Sequence, residues 1–215
     1  MNRLPACFLD ELRNQGVLVL RQFLPPSVVC NFEQALESTR SCLLSGLLSR
    51  DARFVAGVLP YPLESIYLQP ELWEAAQDIF NRQRVCLYFS RLLLKDSAWS
   101  GKVELHQDLP YFSGCQTKVS VFVPLAPMRA DDGGLCFVKG SHKHGKQERG
   151  TICEEAFPPM EHLRPDVKPG DVIFMDFLTW HYSGPCSSER PLMQITYEPV
   201  RRCIFTPALS PLWRD

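Results

Sequence analysis

Apolar positions in this chain change texture near Arg84, from helical spacing before it to short apolar runs after it. Phe8, Leu9 and Leu12 share one side of a short helix over Pro5 to Asn14, which should stop near Gly16. Val17-Leu18-Val19-Leu20 predicts a buried strand, and Phe23-Leu24-Pro25-Pro26-Ser27 ends it. Ser27 offers an N-cap for a second helix reaching about Leu44, with Val28, Phe32, Leu36 and Leu43 among its apolar positions. Pro70 to Arg82 predicts a third helix carrying Leu72, Trp73, Ala76 and Ile79 on one side. Residues 45–69 mix Leu47-Leu48, Phe54-Val55 and Val58-Leu59 with Gly, Pro and Arg, which suggests an irregular segment over the mouth of the fold.

Beyond Arg84 the pattern predicts strands. Val85 to Lys95 is the longest; Lys102 to Asp108, Thr117 to Leu125, Gly134 to Val138, Asp171 to Met175 and Pro191 to Pro199 follow. Gly, Pro, Asp and Ser clusters separate them. Helices first and strands afterwards imply a mainly β, α+β domain: a β-sandwich or barrel buttressed by N-terminal helices. No repeat, low-complexity tract or linker divides the chain, so 1–215 reads as one domain, with 1–84 as helical buttress and 85–200 as barrel core.

Composition narrows the partners. The chain has 215 residues, 45% hydrophobic and 22% charged, with a formal net charge of −1. Lysines and arginines are scattered rather than striped, which disfavours nucleic acid. The N-terminus lacks a basic flank and a long apolar core, and the longest apolar runs are far short of the roughly 20 residues a membrane span needs. Nine cysteines, an odd number without a C-x-x-C pair, read as reduced and mostly buried thiols of a cytoplasmic protein.

The chemistry concentrates in Glu104-Leu105-His106-Gln107-Asp108-Leu109-Pro110-Tyr111-Phe112. On a strand, residues i and i+2 project to one side, so His106 and Asp108 could reach one metal ion together. His181, in an aromatic-rich run after the turn Pro169-Gly170-Asp171, is the best third ligand. Two histidines and one carboxylate with open positions describe the facial triad of non-haem Fe(II) oxygenases. The plain alternative is three ordinary strand-end polar residues. Arg190 opens an apolar strand nine residues after His181, and a guanidinium aimed into a barrel needs a planar anion. The distal carboxylate of a dicarboxylate co-substrate would serve; a surface pairing with Glu189 is the alternative. Ser183 would share the face of His181 and could offer its hydroxyl to the same carboxylate, unless it is a turn serine. Arg91 sits among Leu92, Leu93 and Leu94, an expensive place for a cation unless it meets an anion in the site or a structural carboxylate. Lys95 at the strand end is expected in solvent. Tyr111 and Phe112 would line the cavity mouth, and Trp180 is packing. His142 and His144 belong to a structural turn, and His162 has no partner in view.

From about Arg91 to Pro199 the chain resembles the phytanoyl-CoA dioxygenase family of Fe(II)/2-oxoglutarate oxygenases. His106-Gln107-Asp108-Leu109-Pro110-Tyr111-Phe112, Gly133-Gly134-Leu135-Cys136-Phe137-Val138-Lys139-Gly140-Ser141-His142-Lys143, Pro169-Gly170-Asp171 and His181-Tyr182-Ser183 through Arg190 carry it, in the family's order. Lys139 departs from the family's usual proline. The resemblance implies a double-stranded β-helix, the cupin-like jelly-roll barrel. It implies Fe(II) on His106, Asp108 and His181, with 2-oxoglutarate and O2 filling the open positions and Arg190 on the distal carboxylate. Halogenating relatives replace the carboxylate by a small residue, so Asp108 favours oxygenation. The implied reaction decarboxylates 2-oxoglutarate to succinate while a small-molecule or lipid-like substrate is hydroxylated. A cupin-type metalloenzyme that does not use 2-oxoglutarate and a catalytically silent binding barrel are the rival readings.

Overall fold

The computed structural model describes residues 3–42, 54–56, 63–95, 102–112, 114–150 and 152–200. Helix α1 (Ala6–Gln15) ends where Gly16 turns left-handed, φ 77°, and its N–H closes on the Leu12 carbonyl. No side chain fits there, because a Cβ on Gly16 would lie 2.4 Å from Thr179 Oγ1 and 2.5 Å from His142 Nδ1. Strand β1 (Val17–Leu20) follows at once. Helix α2 spans Pro26–Cys42, so it begins one residue before Ser27. Proline's fixed φ suits the first helical position, and Ser27 lies inside the first turn instead of capping it. The third helix, α3 (Pro70–Ile79), stops short of Arg82 because Asn81 and Arg82 take φ of 53° and 62°.

Of the segment expected to be irregular, strand β2 (Phe54–Ala56) and a 3-10 helix at Leu63–Leu68 are described. Leu44, Leu47-Leu48 and Val58-Leu59 lie outside the described residues. Strand β3 runs Val85–Lys95, as the apolar run predicts. Next come β4 (Val103–His106), β5 (Val119–Pro124), β6 (Leu135–Val138), β7 (His162–Leu163), β8 (Val172–Asp176), β9 (His181–Ser183) and β10 (Arg190–Pro199). Three of these, β2, β7 and β9, have three residues or fewer, too few to show a period in the sequence.

Two antiparallel sheets form, ordered β1-β8-β5-β10-β3-β2 and β4-β9-β6-β7. The strands β1 and β2 therefore join residues before Arg84 to the large sheet. Alternation along that sheet separates two environments. One row, with Leu18, Leu20, Val119, Val121, Val123, Val172, Phe174, Met193 and Ile195, packs with Leu12, Phe32, Leu72 and Ala76 of the helices. The opposite row, with Val17, Phe122, Ile173, Met175 and Leu192, packs with Leu135 and Phe137 of the small sheet. Both faces of the large sheet are covered, which is why β5 is buried at all six positions. The polar residues Ser120, Gln194 and Thr196 share the second row, are all 1% exposed or less, and mark where the core gives way to a site.

Candidate metal centre

His106 and His181 are brought together by strand pairing. They sit opposite one another in the β4–β9 register, with ring centroids 4.1 Å apart. Asp108 arrives differently from the strand-alternation expectation. Strand β4 ends at His106, and Asp108 adopts helical φ −71°, ψ −39° as it caps a 3-10 turn over Leu109–Tyr111. Pro110 favours that turn, and the Tyr111 N–H donates to the Asp108 carbonyl at 3.0 Å. The bend still returns the carboxylate to the imidazoles. Asp108 Oδ1 lies 3.8 Å from Nε2 of both His106 and His181.

One ligand atom from each of His106, Asp108 and His181 lies within 4.8 Å of the others, a span that a single ion with bonds of roughly 2 Å bridges. Their remaining polar atoms are engaged. Nδ1 of His106 meets the Glu104 carbonyl at 2.8 Å, and Nδ1 of His181 meets the Thr179 carbonyl at 3.0 Å. A proton on Nδ1 leaves the Nε2 lone pair toward the shared space. Burial, and then the neighbouring His106, lowers the His181 pKa to about 4, so the ring is neutral and fit to ligate at pH 7. Asp108 Oδ2 accepts from Ser120 Oγ and Gln194 Nε2, each at 3.1 Å. Gln107, between the two ligands, is 1% exposed and bonds the Gly145 carbonyl, the Leu178 carbonyl and the Gln147 N–H. The donor set, two imidazoles and a carboxylate each oriented by a second hydrogen bond, fits Fe(II).

A cavity of about 100 Å3 opens from this centre between the sheets, lined by Arg91, Leu93, Lys95, Phe122, Ser183, Arg190 and Gln194 among others. The β3–β10 register orders it into rungs: Arg91 opposite Gln194, Leu93 opposite Leu192, Lys95 opposite Arg190. Arg190 is 5% exposed and reaches the Gly133 carbonyl and Met128 Sδ. Its Nε is buried without a hydrogen-bond partner among the described residues. Burial lowers its pKa, opposed by Cys186 and Asp132. Ser183 does share the face of His181, and its hydroxyl accepts from Lys95 Nζ at 2.8 Å. Lys95 also donates to the Gly184 carbonyl at 3.0 Å, so the expectation of a solvent-facing lysine is corrected: the end of β3 turns its ammonium into the cavity, toward Ser183 and Gly184. Arg91 stands at the metal end, its Nε and Nη2 donating to Gln194 Oε1 at 2.8 and 2.6 Å.

Around the site, Tyr111 is 42% exposed beside His106, with the Arg149 guanidinium over its ring. Trp180 is fully buried packing, and its ring clusters with those of His144 and Phe157. His142 holds the Arg13 carbonyl. His162, expected to lack a partner, has Glu154 at 2.6 Å and Tyr182 Oη at 3.1 Å. The described cysteines are not mostly buried: Cys7, Cys30 and Cys153 are exposed, and only Cys136 and Cys186 among the described thiols are buried. Gln194, Ser120, Gln107 and Lys95 are the site residues that sequence reasoning missed. The one signal for Gln194 is its phase, since Arg190, Leu192, Gln194 and Thr196 alternate onto one face.

No curated protein matches this chain. In fold it is similar to the non-haem α-ketoglutarate-dependent carbocyclase SnoK from nogalamycin biosynthesis (TM-score 0.74, 21% identity, 90% of this chain and 83% of that one). EctD from S. alaskensis with 2-oxoglutarate and 5-hydroxyectoine is comparable, at TM-score 0.75, 20% identity, 92% of this chain and 77% of that one. The epimerase SnoN in complex with Fe3+, α-ketoglutarate and nogalamycin RO matches at TM-score 0.70, 19% identity, 90% of this chain and 82% of that one. These likenesses establish the cupin-like jelly-roll fold. The sequence profile described as phytanoyl-CoA dioxygenase (PhyH) matches residues 12–192, and the chain belongs to that family of iron- and 2-oxoglutarate-dependent enzymes.

Proposed function

We propose that this protein is an Fe(II)/2-oxoglutarate-dependent dioxygenase that hydroxylates an unactivated C–H bond of a small molecule. The observation that carries the reading is one cavity with two chemically distinct ends. His106, Asp108 and His181 converge at one, while Arg190, Lys95 and Ser183 gather two rungs deeper. Bound there, iron(II) and 2-oxoglutarate supply the oxidising chemistry, with O2 as oxidant and succinate and CO2 as products. The chain's own residues bind, orient and exclude. His106 and His181 present their Nε2 atoms, and Asp108 presents Oδ1, its other oxygen fixed by Ser120 and Gln194.

At the deep end, the buried Arg190 guanidinium and the Lys95 ammonium flank the place for a carboxylate, and Ser183 adds a hydroxyl. A charge-assisted pair in such surroundings is worth roughly 1.5–3 kcal/mol per hydrogen bond. Leu93, Phe122 and Leu135 wall the space between the ends and keep water from it. Among the described residues no helix is long and apolar enough to cross a membrane, and the reading is of a cytoplasmic enzyme acting on a small-molecule substrate.

The test is succinate formation by the Fe(II)-loaded protein across a panel of candidate small molecules, with His106→Ala and Asp108→Ala beside it. Turnover should vanish in both variants. Substrate-stimulated succinate at parental rates in either one would end the proposal, and turnover without any need for 2-oxoglutarate would favour the cupin-type alternative.

A further inference from the structure

Strand β6 turns Phe137 toward the metal centre, where its ring stacks against His181 at 6.3 Å, and therefore turns Cys136 to the opposite side of the small sheet. A second cluster of reactive groups surrounds that thiol. His162 Nδ1 lies 3.8 Å from Cys136 Sγ. On the far side of the same ring, Nε2 meets Glu154 Oε1 at 2.6 Å. A carboxylate on Nε2 places the ring proton there, so Nδ1 presents its lone pair to the side shared by the Tyr182 hydroxyl and the thiol. Arg164 Nη2 donates to the Tyr182 hydroxyl at 2.9 Å, which sets a guanidinium at the edge of the cluster. Tyr182 Oη, 3.1 Å from His162 Nδ1, closes the ring of contacts. A thiol, a base and a carboxylate that orients the base, with a guanidinium one hydroxyl away, are the parts that activate cysteines. The iron chemistry on the other side of the sheet uses none of them.

Size selects the reagent. Cys136 is 2% exposed beneath this cluster, so only a reactant of a few atoms can approach its sulfur. We propose that Cys136 is a modification site, an activated thiol that small hydroperoxides oxidise to the sulfenic acid. His162 Nδ1 takes the thiol proton, and the sulfur attacks one peroxide oxygen. An S–O bond forms as the O–O bond breaks, and the departing oxygen takes up the proton as water or alcohol. Sulfur loses two electrons and the peroxide gains them.

The test uses the full chain with a metal chelator, so that no iron meets the peroxide. Hydrogen peroxide is added for set times and then removed with catalase, the chain is unfolded in denaturant that contains dimedone so that sulfenic acid at every position can be trapped, and each cysteine is followed by peptide mass spectrometry. Cys7, Cys30 and Cys153 are exposed and serve as references within the same molecule. Cys136 should be trapped at least about tenfold faster than any of them. In His162→Asn and in Glu154→Gln that rate should fall by a similar factor while the rate at Cys7 holds, and a thermal unfolding midpoint close to the parental one reports that the fold is intact. Trapping at Cys136 no faster than at the exposed thiols overturns the proposal. An unchanged Cys136 rate in both variants overturns it equally.

Discussion

The two ends of the cavity are built on opposite plans. At the metal end each ligand is held twice, once by its strand or turn and once by a hydrogen bond on the atom facing away from the ion: Glu104 and Thr179 carbonyls for the imidazoles, Ser120 and Gln194 for Asp108. At the deep end, Arg190 and Lys95 rest on carbonyl oxygens and a serine hydroxyl, and the Arg190 Nε is left buried and unengaged among the described residues. One end is finished before anything binds. The other keeps bonding capacity for a ligand. Buried donors seldom stay unpaired, so such a site is completed by an anion.

The largest effect should come from breaking the finished end. Asp108→Ala removes the only carboxylate of the ligand cluster, and at least a ~100-fold loss of bound iron at a fixed Fe(II) concentration is expected, with succinate formation lost. Metal analysis after gel filtration checks the first and product assay the second. Iron retained at parental stoichiometry would show that the three side chains are not the metal centre.

Acid should expose what the finished end costs when empty. The folded His181 pKa lies near 4, below the usual 6.5, chiefly through burial. Between those values the unfolded chain binds a proton that the metal-free fold refuses, so stability is fullest above pH 6.5 and declines as pH falls toward 4. The ceiling on that loss is about 3 kcal/mol. Urea unfolding of the metal-free protein at pH 7 and pH 5 should show the decline, and His181→Gln should flatten it. An identical slope in the variant would place the titration elsewhere.

The deep end should answer to 2-oxoglutarate instead. Arg190→Ala should raise the 2-oxoglutarate KM by roughly 100-fold, and Lys95→Met by about tenfold, with iron content unchanged in both. Equal loss of iron would show that the two ends are not separate.

How much of this is legible in the sequence depends on whether a residue's partner is near in the chain. His106, Asp108, His181 and Arg190 stand out by type and order, and the helix–strand division follows from apolar spacing. Why the ligands meet is less legible. Asp108 reaches the two imidazoles from a 3-10 turn and not by strand alternation, and His181 is aligned by β9, three residues long and paired to a strand far upstream. Lys95 looks like a solvated strand end because nothing local says that Ser183 and Gly184 lie across from it. Cys7 and Cys30 fall on the outer sides of helices whose cores are filled by other residues, which composition could not show.

Gln194 offers the finest test of the contrast, because it belongs to the metal end while sitting on the same strand as Arg190. Its carboxamide joins two charges: Nε2 donates to Asp108 Oδ2, and Oε1 accepts from Arg91. Gln194→Leu keeps the volume but removes both bonds, leaving Ser120 to orient the carboxylate. Groups that orient metal ligands are worth about 10- to 100-fold in affinity, and with Ser120 still in place the lower figure is expected here. The Fe(II) dissociation constant should therefore rise about tenfold, and the 2-oxoglutarate KM at saturating iron should stay within about twofold. Ser120→Ala should do less, since its hydroxyl also has Thr196 at 3.3 Å and is not committed to Asp108 alone. If Gln194→Leu weakens 2-oxoglutarate as much as iron, the rung of Leu93 and Leu192 does not insulate one end from the other, and the cavity must be treated as a single coupled site.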